Sequence, residues 1–230
     1  MLVCIDPGHA ESTAGKRSFD GTLREYEFNR AVALYLKYHL ERHGVKTMYS
    51  CDVETPKDIS LSNRCKTANN AKADVFISIH ANAYGNAWND ANGWEAFYYK
   101  NSLDGKTLAS MIQKESIALL GLKDRGIKTD SLYVTKHTKM TAVLVEHGFY
   151  TNKAEVEKLK DKIFREQCAI ADAKGILQYL GIAWVEDAEP ITKYYVRVEH
   201  FGTKEAAQNA SNKIKEQFGW YNYVGSETVK

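Results

Sequence analysis

The chain contains 230 residues, 44% hydrophobic and 26% charged, which is the balance of a globular protein with a hydrophobic core. Its 31 basic and 29 acidic residues give a formal net charge of +2, which excludes the strongly basic surface of a typical nucleic-acid-binding protein. No run of residues is apolar for long enough to span a membrane, and the N-terminus lacks the basic and apolar regions of a signal peptide. We therefore expect the protein to be made in the cytoplasm and to stay there until another agent releases it.

Apolar runs alternate with segments of helical periodicity along the first 180 residues. Strands are predicted at 2–5, 45–49, 75–79, 93–99 and 141–145, and helices at 26–43, 60–72, 103–120 and 153–180. In the last of these helices, Ile163, Ile170 and Leu177 are expected to lie on one stripe. Strands that alternate with helices predict an α/β fold, with a mostly parallel twisted sheet and helices on both faces. Binding sites of such folds form at the carboxyl ends of the strands.

The residues after 181 are predicted to form a linker and a small appendix. Residues 182–193 are acidic, contain a proline and show little periodicity. A strand at 194–198, a helix at 204–218 and a strand at 220–224 then predict a β-α-β unit, which at about forty residues is marginal as an independent fold. The sequence thus predicts a main domain at 1–181, a linker at 182–193 and a C-terminal domain at 194–230.

Three residues that can bind a metal ion lie at the ends of predicted elements. His9 follows a strand and a Pro-Gly turn, Glu25 opens the first helix, and His80 ends the central strand. Two histidines and one glutamate are an established ligand set for catalytic zinc, which keeps a fourth position for water. Glu146 ends another strand and can serve as general base to that water. Turn histidines and N-terminal helix glutamates also have common structural roles, so residue types alone leave this site a hypothesis.

Other residues compete for these roles. Glu27 lies at the same helix start as Glu25, and only one of the two can point at a shared site. His39 and His43 are four residues apart on one helix face, but the H-E-x-x-H motif of zinc proteases is absent. We interpret this pair as a solvated helix end. His147, next to the candidate base, is expected to point to the opposite face of its strand and to have a structural role.

Four short segments, taken in chain order, resemble the motifs of a known enzyme family. They are Ile-Asp-Pro-Gly-His at 5–9, Glu-Tyr-Glu-Phe-Asn at 25–29, Ser-Ile-His-Ala-Asn at 78–82 and Val-Glu-His-Gly-Phe at 145–149. Together they resemble the type 3 family of N-acetylmuramoyl-L-alanine amidases, found in bacterial autolysins and phage endolysins. The segments at 64–74, at 124–128 (an Arg-Gly turn in the family) and at 151–152 agree with it. The resemblance covers residues 1–180.

The resemblance implies a role for each candidate site residue. It implies that His9, Glu25 and His80 bind zinc and that Glu146 is the catalytic carboxylate. The family pattern places its glutamate ligand at the first residue of the second motif, which selects Glu25 over Glu27.

The resemblance also implies the reaction. It is hydrolysis of the amide bond between N-acetylmuramic acid and L-alanine of peptidoglycan, and the missing signal peptide favours a phage endolysin over a host autolysin. A zinc peptidase acting on the stem peptide and a non-catalytic wall-binding protein are the alternatives. Loss of a ligand or of the base would favour the binding protein, and none is lost. Peptidoglycan is the expected partner, without nucleic acid or membrane insertion.

Two further segments are candidates for contact with the wall. Trp88 lies in a polar loop after the central strand and is a candidate for glycan contact, whereas most of Trp94, Phe97, Tyr98 and Tyr99 are expected to pack in the core. The segment 194–224 resembles a shortened sporulation-related repeat, which is a peptidoglycan-binding module. We expect this appendix to bind the wall, with formation of a homodimer as the alternative.

Overall fold

The computed structural model describes residues 1–54, 57–186 and 203–218. The chain divides into two compact units, Met1–Val185 and Glu186–Lys230. The described elements in chain order are β1 (Leu2–Pro7), α1 (Glu25–Arg42), β2 (Lys46–Tyr49), α2 (Leu61–Asn70), β3 (Val75–Asn82), β4 (Trp94–Tyr99), α3 (Leu103–Leu120), β5 (Asp124–Asp130), α4 (Tyr133–His137), β6 (Thr141–Phe149), α5 (Lys153–Lys160), α6 (Lys162–Tyr179) and α7 (Lys204–Phe218). Within these described ranges, no helix combines the length and the apolar character that a membrane span requires.

The strands of the first unit form one sheet in the order β2-β1-β3-β6-β4-β5. Neighbouring strands are parallel except β6 and β4, which are antiparallel. The predicted mostly parallel sheet is therefore confirmed. Because β4 and β5 run against the other four strands, their amino ends lie at the edge where β1, β3 and β6 end. We call this edge, formed by three carboxyl ends and two amino ends, the site edge.

Helices cover both faces of the sheet, as predicted. One hydrophobic cluster joins α1, α3 and α6 to alternate strand residues such as Val3, Ile77 and Val143. A second cluster joins α2 and α4 to the intervening residues, among them Cys4 and Phe76. A strand covered on both faces buries successive residues, which explains why the runs that form β1, β3 and β6 are apolar almost throughout.

The segment predicted as an Arg-Gly turn is instead part of a strand. Residues Asp124–Asp130 form β5, which pairs in parallel with β4 at the edge of the sheet. Its sequence, Asp-Arg-Gly-Ile-Lys-Thr-Asp, is polar because an edge strand is only half covered, so it carries no apolar run that predicts a strand. The short helix α4 that follows was likewise not predicted.

The single helix predicted at 153–180 is two helices, α5 and α6. They are separated by Asp161, whose extended backbone ends α5 and whose side chain accepts a hydrogen bond from Phe164 N (2.8 Å) at the start of α6. The predicted stripe does not mark the buried face, because Ile163 is 68% exposed. The buried face instead uses small residues. A Cβ on Gly175 would lie 2.6 Å from Ile112 Cα, so α6 approaches α3 closely there, and small residues give no hydrophobic periodicity.

The C-terminal part is described only over one helix and the start of the linker. The helix predicted at 204–218 coincides with α7. The strands predicted at 194–198 and 220–224, and linker residues 187–193, lie outside the described residues. Residues 182–185 belong to the first unit, where the Trp184 ring stacks on the His43 ring with centroids 4.7 Å apart.

Candidate metal centre

His9, Glu25 and His80 meet at the site edge. Each offers one ligand atom, and these atoms lie within 4.8 Å of one another. His9 Nε2 is 3.4 Å from Glu25 Oε2, and His80 Nδ1 is 2.9 Å from Glu25 Oε1. Glu27 is exposed, and its carboxylate accepts a hydrogen bond from Arg24 N (3.3 Å). The structure thus brings Glu25, and not Glu27, to the two histidines.

The turn after β1 presents His9 to this cluster. Gly8 N donates to Ile79 O (3.0 Å), which holds the turn against β3. A Cβ on Gly8 would overlap the His80 ring and lie 2.6 Å from its Nδ1, so only glycine allows this approach. His9 itself has a left-handed backbone (φ 61°), which is uncommon for a residue with a side chain and is imposed by its surroundings.

A buried arginine supplies much of that support. The Arg64 guanidinium donates to Asp6 Oδ1 (2.8 Å) and to the carbonyls of Pro7 (2.7 Å) and His9 (3.3 Å). Burial alone would raise the pKa of Asp6, but the charge of Arg64 and hydrogen bonds from Ser50 and Ser78 hold it below its ordinary value. The ionised Asp6–Arg64 pair therefore fixes the backbone on both sides of Gly8.

The same pair reaches His80 through a hydroxyl. Ser78 Oγ donates to Asp6 Oδ2 (2.6 Å), so its oxygen is left to accept a hydrogen bond from His80 Nε2 (3.1 Å). This arrangement keeps a proton on Nε2 and leaves Nδ1 to face Glu25 Oε1 (2.9 Å), where Nδ1 donates a hydrogen bond that a bound cation would replace. A partner of this kind on the non-coordinating nitrogen fixes the ring orientation of metal-binding histidines.

Glu25 is buried but well supported at the start of α1. Its Oε1 accepts hydrogen bonds from Asn29 Nδ2 (3.4 Å) and Ala81 N (3.3 Å). Burial favours the neutral acid, yet the hydrogen bond from His80 and the charges of both histidines lower the pKa of Glu25 below its usual value. Glu25 is therefore an anion at neutral pH, as a metal ligand must be.

The two histidines differ in their affinity for protons. Burial lowers the pKa of His9 to about 4, against the opposing charge of Glu25, so this ring is neutral at neutral pH. Burial also acts to lower the pKa of His80, but the hydrogen bond and charge of Glu25 outweigh it and raise that pKa above its ordinary value. A cation that binds between these residues would displace the proton from His80.

Glu146 lies on β6, directly opposite His80 in the register of β3 and β6. Burial, reinforced by the charges of Glu25 and Glu95 and opposed by His80, raises the pKa of Glu146 to about 8. Its Oε2 is buried and makes no hydrogen bond to the described residues. A carboxylate in this state accepts a proton readily near neutral pH, which is the property of a general base.

His147 points away from Glu146, as predicted. Its Nε2 is 3.0 Å from Asp172 Oδ2 on α6, and both side chains are completely buried. The contact attaches β6 to α6 behind the candidate site and gives His147 a structural role.

The interpretation of His39 and His43 as a solvated helix end is wrong. His39 is 3% exposed, and the rings of both histidines lie against Trp184, with centroid distances of 5.7 and 4.7 Å. The helix end is covered because the chain after α6 returns across it. The sequence hides this contact because 140 residues separate the partners.

The aromatic residues differ in burial, and only Trp94 of the four expected mostly in the core is fully buried. Trp94 is completely buried, and Phe97, Tyr98 and Tyr99 are half-buried on β4. Trp88 is half-buried in its loop, with its ring edge-to-face against Phe19 (5.5 Å). Trp88 stays a candidate for substrate contact.

The structure brings one further group to the site edge, formed by Glu95, Arg125 and Lys128. The sequence predicts no role at the site for these residues, although residues 124–128 belong to a segment that resembles the family. Glu95 is buried at the start of β4 and pairs with Glu146 across the antiparallel β4–β6 ladder. It accepts hydrogen bonds from Arg125 Nε (2.7 Å) and Lys128 Nζ. The direction of β4 brings this group to the site, and no local sequence signal indicates the direction of a strand.

Comparison with known proteins agrees with this geometry. Residues 3–178 match the family model of the type 3 N-acetylmuramoyl-L-alanine amidases. The N-acetylmuramoyl-L-alanine amidase LytC of Bacillus subtilis is 37% identical over 179 residues, which are 77% of this chain and 35% of LytC. The sporulation-specific N-acetylmuramoyl-L-alanine amidase of the same bacterium is 31% identical over 222 residues, covering 95% of this chain and 82% of that protein.

Solved structures of related proteins are similar to this chain in fold as well as in sequence. The catalytic domain of CwlV, an N-acetylmuramoyl-L-alanine amidase from Bacillus (Paenibacillus) polymyxa var. colistinus, superposes with a TM-score of 0.73 at 33% identity, covering 79% of this chain and 99% of that domain. This chain spans about a third of the length of LytC, so the match covers only part of that relative. On the family match and these relatives, the chain belongs to the N-acetylmuramoyl-L-alanine amidase family, type 3.

Proposed function

We propose that this protein hydrolyses the amide bond between the lactyl group of N-acetylmuramic acid and the L-alanine of the peptidoglycan stem peptide, using zinc held by His9, Glu25 and His80. The proposal depends chiefly on one observation, which is that these residues converge within 4.8 Å beside a proton-accepting Glu146. Relatives that carry the name of this amidase support the choice of reaction.

The residues fit a zinc ion in chemistry and in spacing. Two imidazole nitrogens and one carboxylate oxygen are a known set for catalytic zinc, at ligand distances of about 2.0–2.2 Å. Ligands of a tetrahedral ion at those distances lie roughly 3.4 Å from one another, close to the 3.4 and 2.9 Å that separate Glu25 from the two histidines. A cation would also give the buried Oε2 of Glu146 an electrostatic partner.

Each chain residue has a defined task in the proposed reaction. Zinc in such a site lowers the pKa of water and polarises an amide carbonyl. Glu146 takes a proton from the attacking water as the new C–O bond forms. Glu146 then gives that proton to the alanine nitrogen as the C–N bond breaks, so that a lactyl carboxylate and a free amine leave. Arg64 and Asp6 keep His9 and His80 in place throughout.

The test uses a soluble muramyl tripeptide and purified walls. We expect release of peptide with a free N-terminal alanine, loss of activity with a chelator and recovery on addition of Zn²⁺. Cleavage between amino acids instead would identify a stem-peptide peptidase. Binding to walls without product would identify a non-catalytic protein, and full activity in a chelator would exclude the metal. Endolysin and autolysin share this reaction and differ in how the enzyme reaches the wall.

A further inference from the structure

A row of charged side chains crosses the sheet at the site edge. His80 on β3 pairs with Glu146 on β6, and Glu146 pairs with Glu95 on β4. Residues paired across neighbouring strands project from the same face of a sheet. Arg125 on β5 follows at the end of the row and bonds to Glu95. The row therefore runs from the candidate metal ligands, past the candidate base, to a cationic end.

The cationic end carries more positive than negative charge. Glu95 Oε2 accepts hydrogen bonds from Arg125 Nε (2.7 Å) and from Lys128 Nζ, while its Oε1 accepts one from Asn82 Nδ2 (2.7 Å). One carboxylate thus faces two cations. Burial would raise the pKa of Glu95, but the hydrogen bonds from Lys128 and Arg125 lower it, so the acid is ionised. The side chains of Arg125 and Lys128 keep 29% and 39% of their surface exposed.

The orientation of Arg125 is fixed by its surroundings. Its guanidinium lies over the Phe149 ring, 4.8 Å from the centroid. Gly93 allows β4 and β5 to approach each other here, because a Cβ on residue 93 would lie 3.0 Å from Arg125 Cγ. Its Nη1 also donates to Asn92 O (3.4 Å). An arginine held by a ring, a carboxylate and a carbonyl keeps its remaining N–H groups in one direction, which is an arrangement that recognises a carboxylate.

We propose that Arg125 and Lys128 bind a carboxylate of the stem peptide, positioned by Glu95, and that the enzyme therefore prefers stems whose second residue keeps its free α-carboxylate. This inference rests on the proposed amidase function. Arg125 and Lys128 bond to Glu95 Oε2, and Glu95 lies one strand spacing, roughly 5 Å, from Glu146. An extended peptide covers that distance in about one to two residues. A stem whose alanine nitrogen lies at Glu146 therefore brings the carboxylate of its next residue, D-glutamate, to the cations.

The charge of Glu95 alone does not require two cations beside it. One cation and the Asn82 amide satisfy a buried carboxylate, whereas a second cation leaves an excess positive charge. That charge lies beside Glu146, where the peptide side of the substrate must pass. A carboxylate ligand would balance the excess charge of the group formed by Glu95, Arg125 and Lys128.

The test compares two muramyl tripeptides that differ only at the second residue, one with the free α-carboxylate and one with its amide. We expect the wild type to prefer the carboxylate by at least about tenfold in kcat/KM, the scale of one charge-assisted hydrogen bond. R125Q and K128Q should each reduce that preference, by raising KM more for the carboxylate substrate than for the amide. K106Q, which removes an exposed cation from α3, is the charge-matched control and should behave as wild type.

Each outcome bears on a different claim. Equal wild-type rates on both substrates would overturn the carboxylate subsite, and so would an equal loss on both substrates in R125Q and K128Q. If either variant fails to fold, which a thermal melt reports, the wild-type comparison and the other variant still decide. If the wild type cleaves neither tripeptide, the failure lies in the proposed amidase function and not in the subsite.

Discussion

Gly8 and His80 are in such close contact that residue 8 cannot carry a side chain while the imidazole keeps its place. The Cβ of an alanine at this position would lie 2.6 Å from His80 Nδ1, the nitrogen that faces Glu25. We expect Gly8→Ala to displace the ring, to lower zinc affinity by at least about tenfold and to lower activity with it. Zinc content after dialysis against a weak chelator, with circular dichroism to verify the fold, measures this. A variant that keeps full zinc and full activity would show that the ring position is not needed.

Burial decides which strands and helices can be predicted from the sequence. Strands β1, β3 and β6 are covered on both faces, so their apolar runs are visible in the sequence. Strand β5 is at the sheet edge and polar, and it was predicted as a turn. The small residues through which α6 packs on α3 gave no periodicity, and the predicted stripe included the exposed Ile163.

Only part of the candidate site can be predicted from the sequence, because only some of its residues lie in local motifs. His9, Glu25, His80 and Glu146 each lie in a local motif, so their resemblance to a family could be recognised without knowing the fold. Glu95 and its two cations reach the site only because β4 runs antiparallel to β6. Strand direction is decided by long-range packing, and a sequence of this kind carries no local mark of it.

Glu146→Gln separates the proposed base from the proposed metal site. The amide keeps the size of the side chain but cannot take a proton from water, so activity should fall by at least roughly 10²–10⁴-fold. Zinc content should stay at the wild-type level, because the three proposed ligands are unchanged. Glu157→Gln, at an exposed position of α5, is the matched control and should keep full activity. Wild-type hydrolysis by Glu146→Gln would remove this residue from the mechanism.

Glu146→Gln also tests the raised pKa of Glu146 in the metal-free protein. In the folded protein burial raises the pKa of Glu146 from its ordinary value of 4.5 to about 8. The folded state therefore binds a proton that the unfolded state releases, and this contribution to stability is complete below about pH 4.5 and is lost as the pH rises through about 8. The loss is about 1.4 kcal/mol for each pKa unit of difference.

The measurement is a pair of urea titrations in a chelator at a series of pH values from 5 to 9. Relative to Glu146→Gln, which cannot titrate, the wild type should lose free energy of unfolding as the pH rises. Other titrating groups are present in both proteins, so the difference reports on Glu146 and on its interaction with His80. A difference that stays constant with pH, or that moves in favour of the wild type, would contradict the raised pKa.

The last prediction concerns the boundary after the first unit. The Trp184 ring is stacked on His43 and lies under the cations of Arg42 (4.8 Å) and Lys174 (5.0 Å). A chain that ends at 181 loses this ring and uncovers His39, whereas a chain that ends at Val185 keeps it. We expect the chain ending at 181 to be less stable by about 1–3 kcal/mol, the scale of a partly buried aromatic residue. Trp184→Ala in the full chain should reproduce most of that loss.

The chain ending at Val185 then isolates the role of residues 186–230. All four proposed site residues precede the cut, so zinc content and hydrolysis of soluble muramyl tripeptide should match the full chain. If the removed segment binds the wall, as we propose, sedimentation with intact walls should weaken, because a tethered binding module raises the local concentration of the enzyme without changing the catalytic step. If it instead pairs two copies, the mass measured by analytical ultracentrifugation should fall to that of a monomer. Equal loss of activity on walls and on soluble tripeptide would contradict the targeting role, and a truncated chain that fails to fold would contradict the boundary itself.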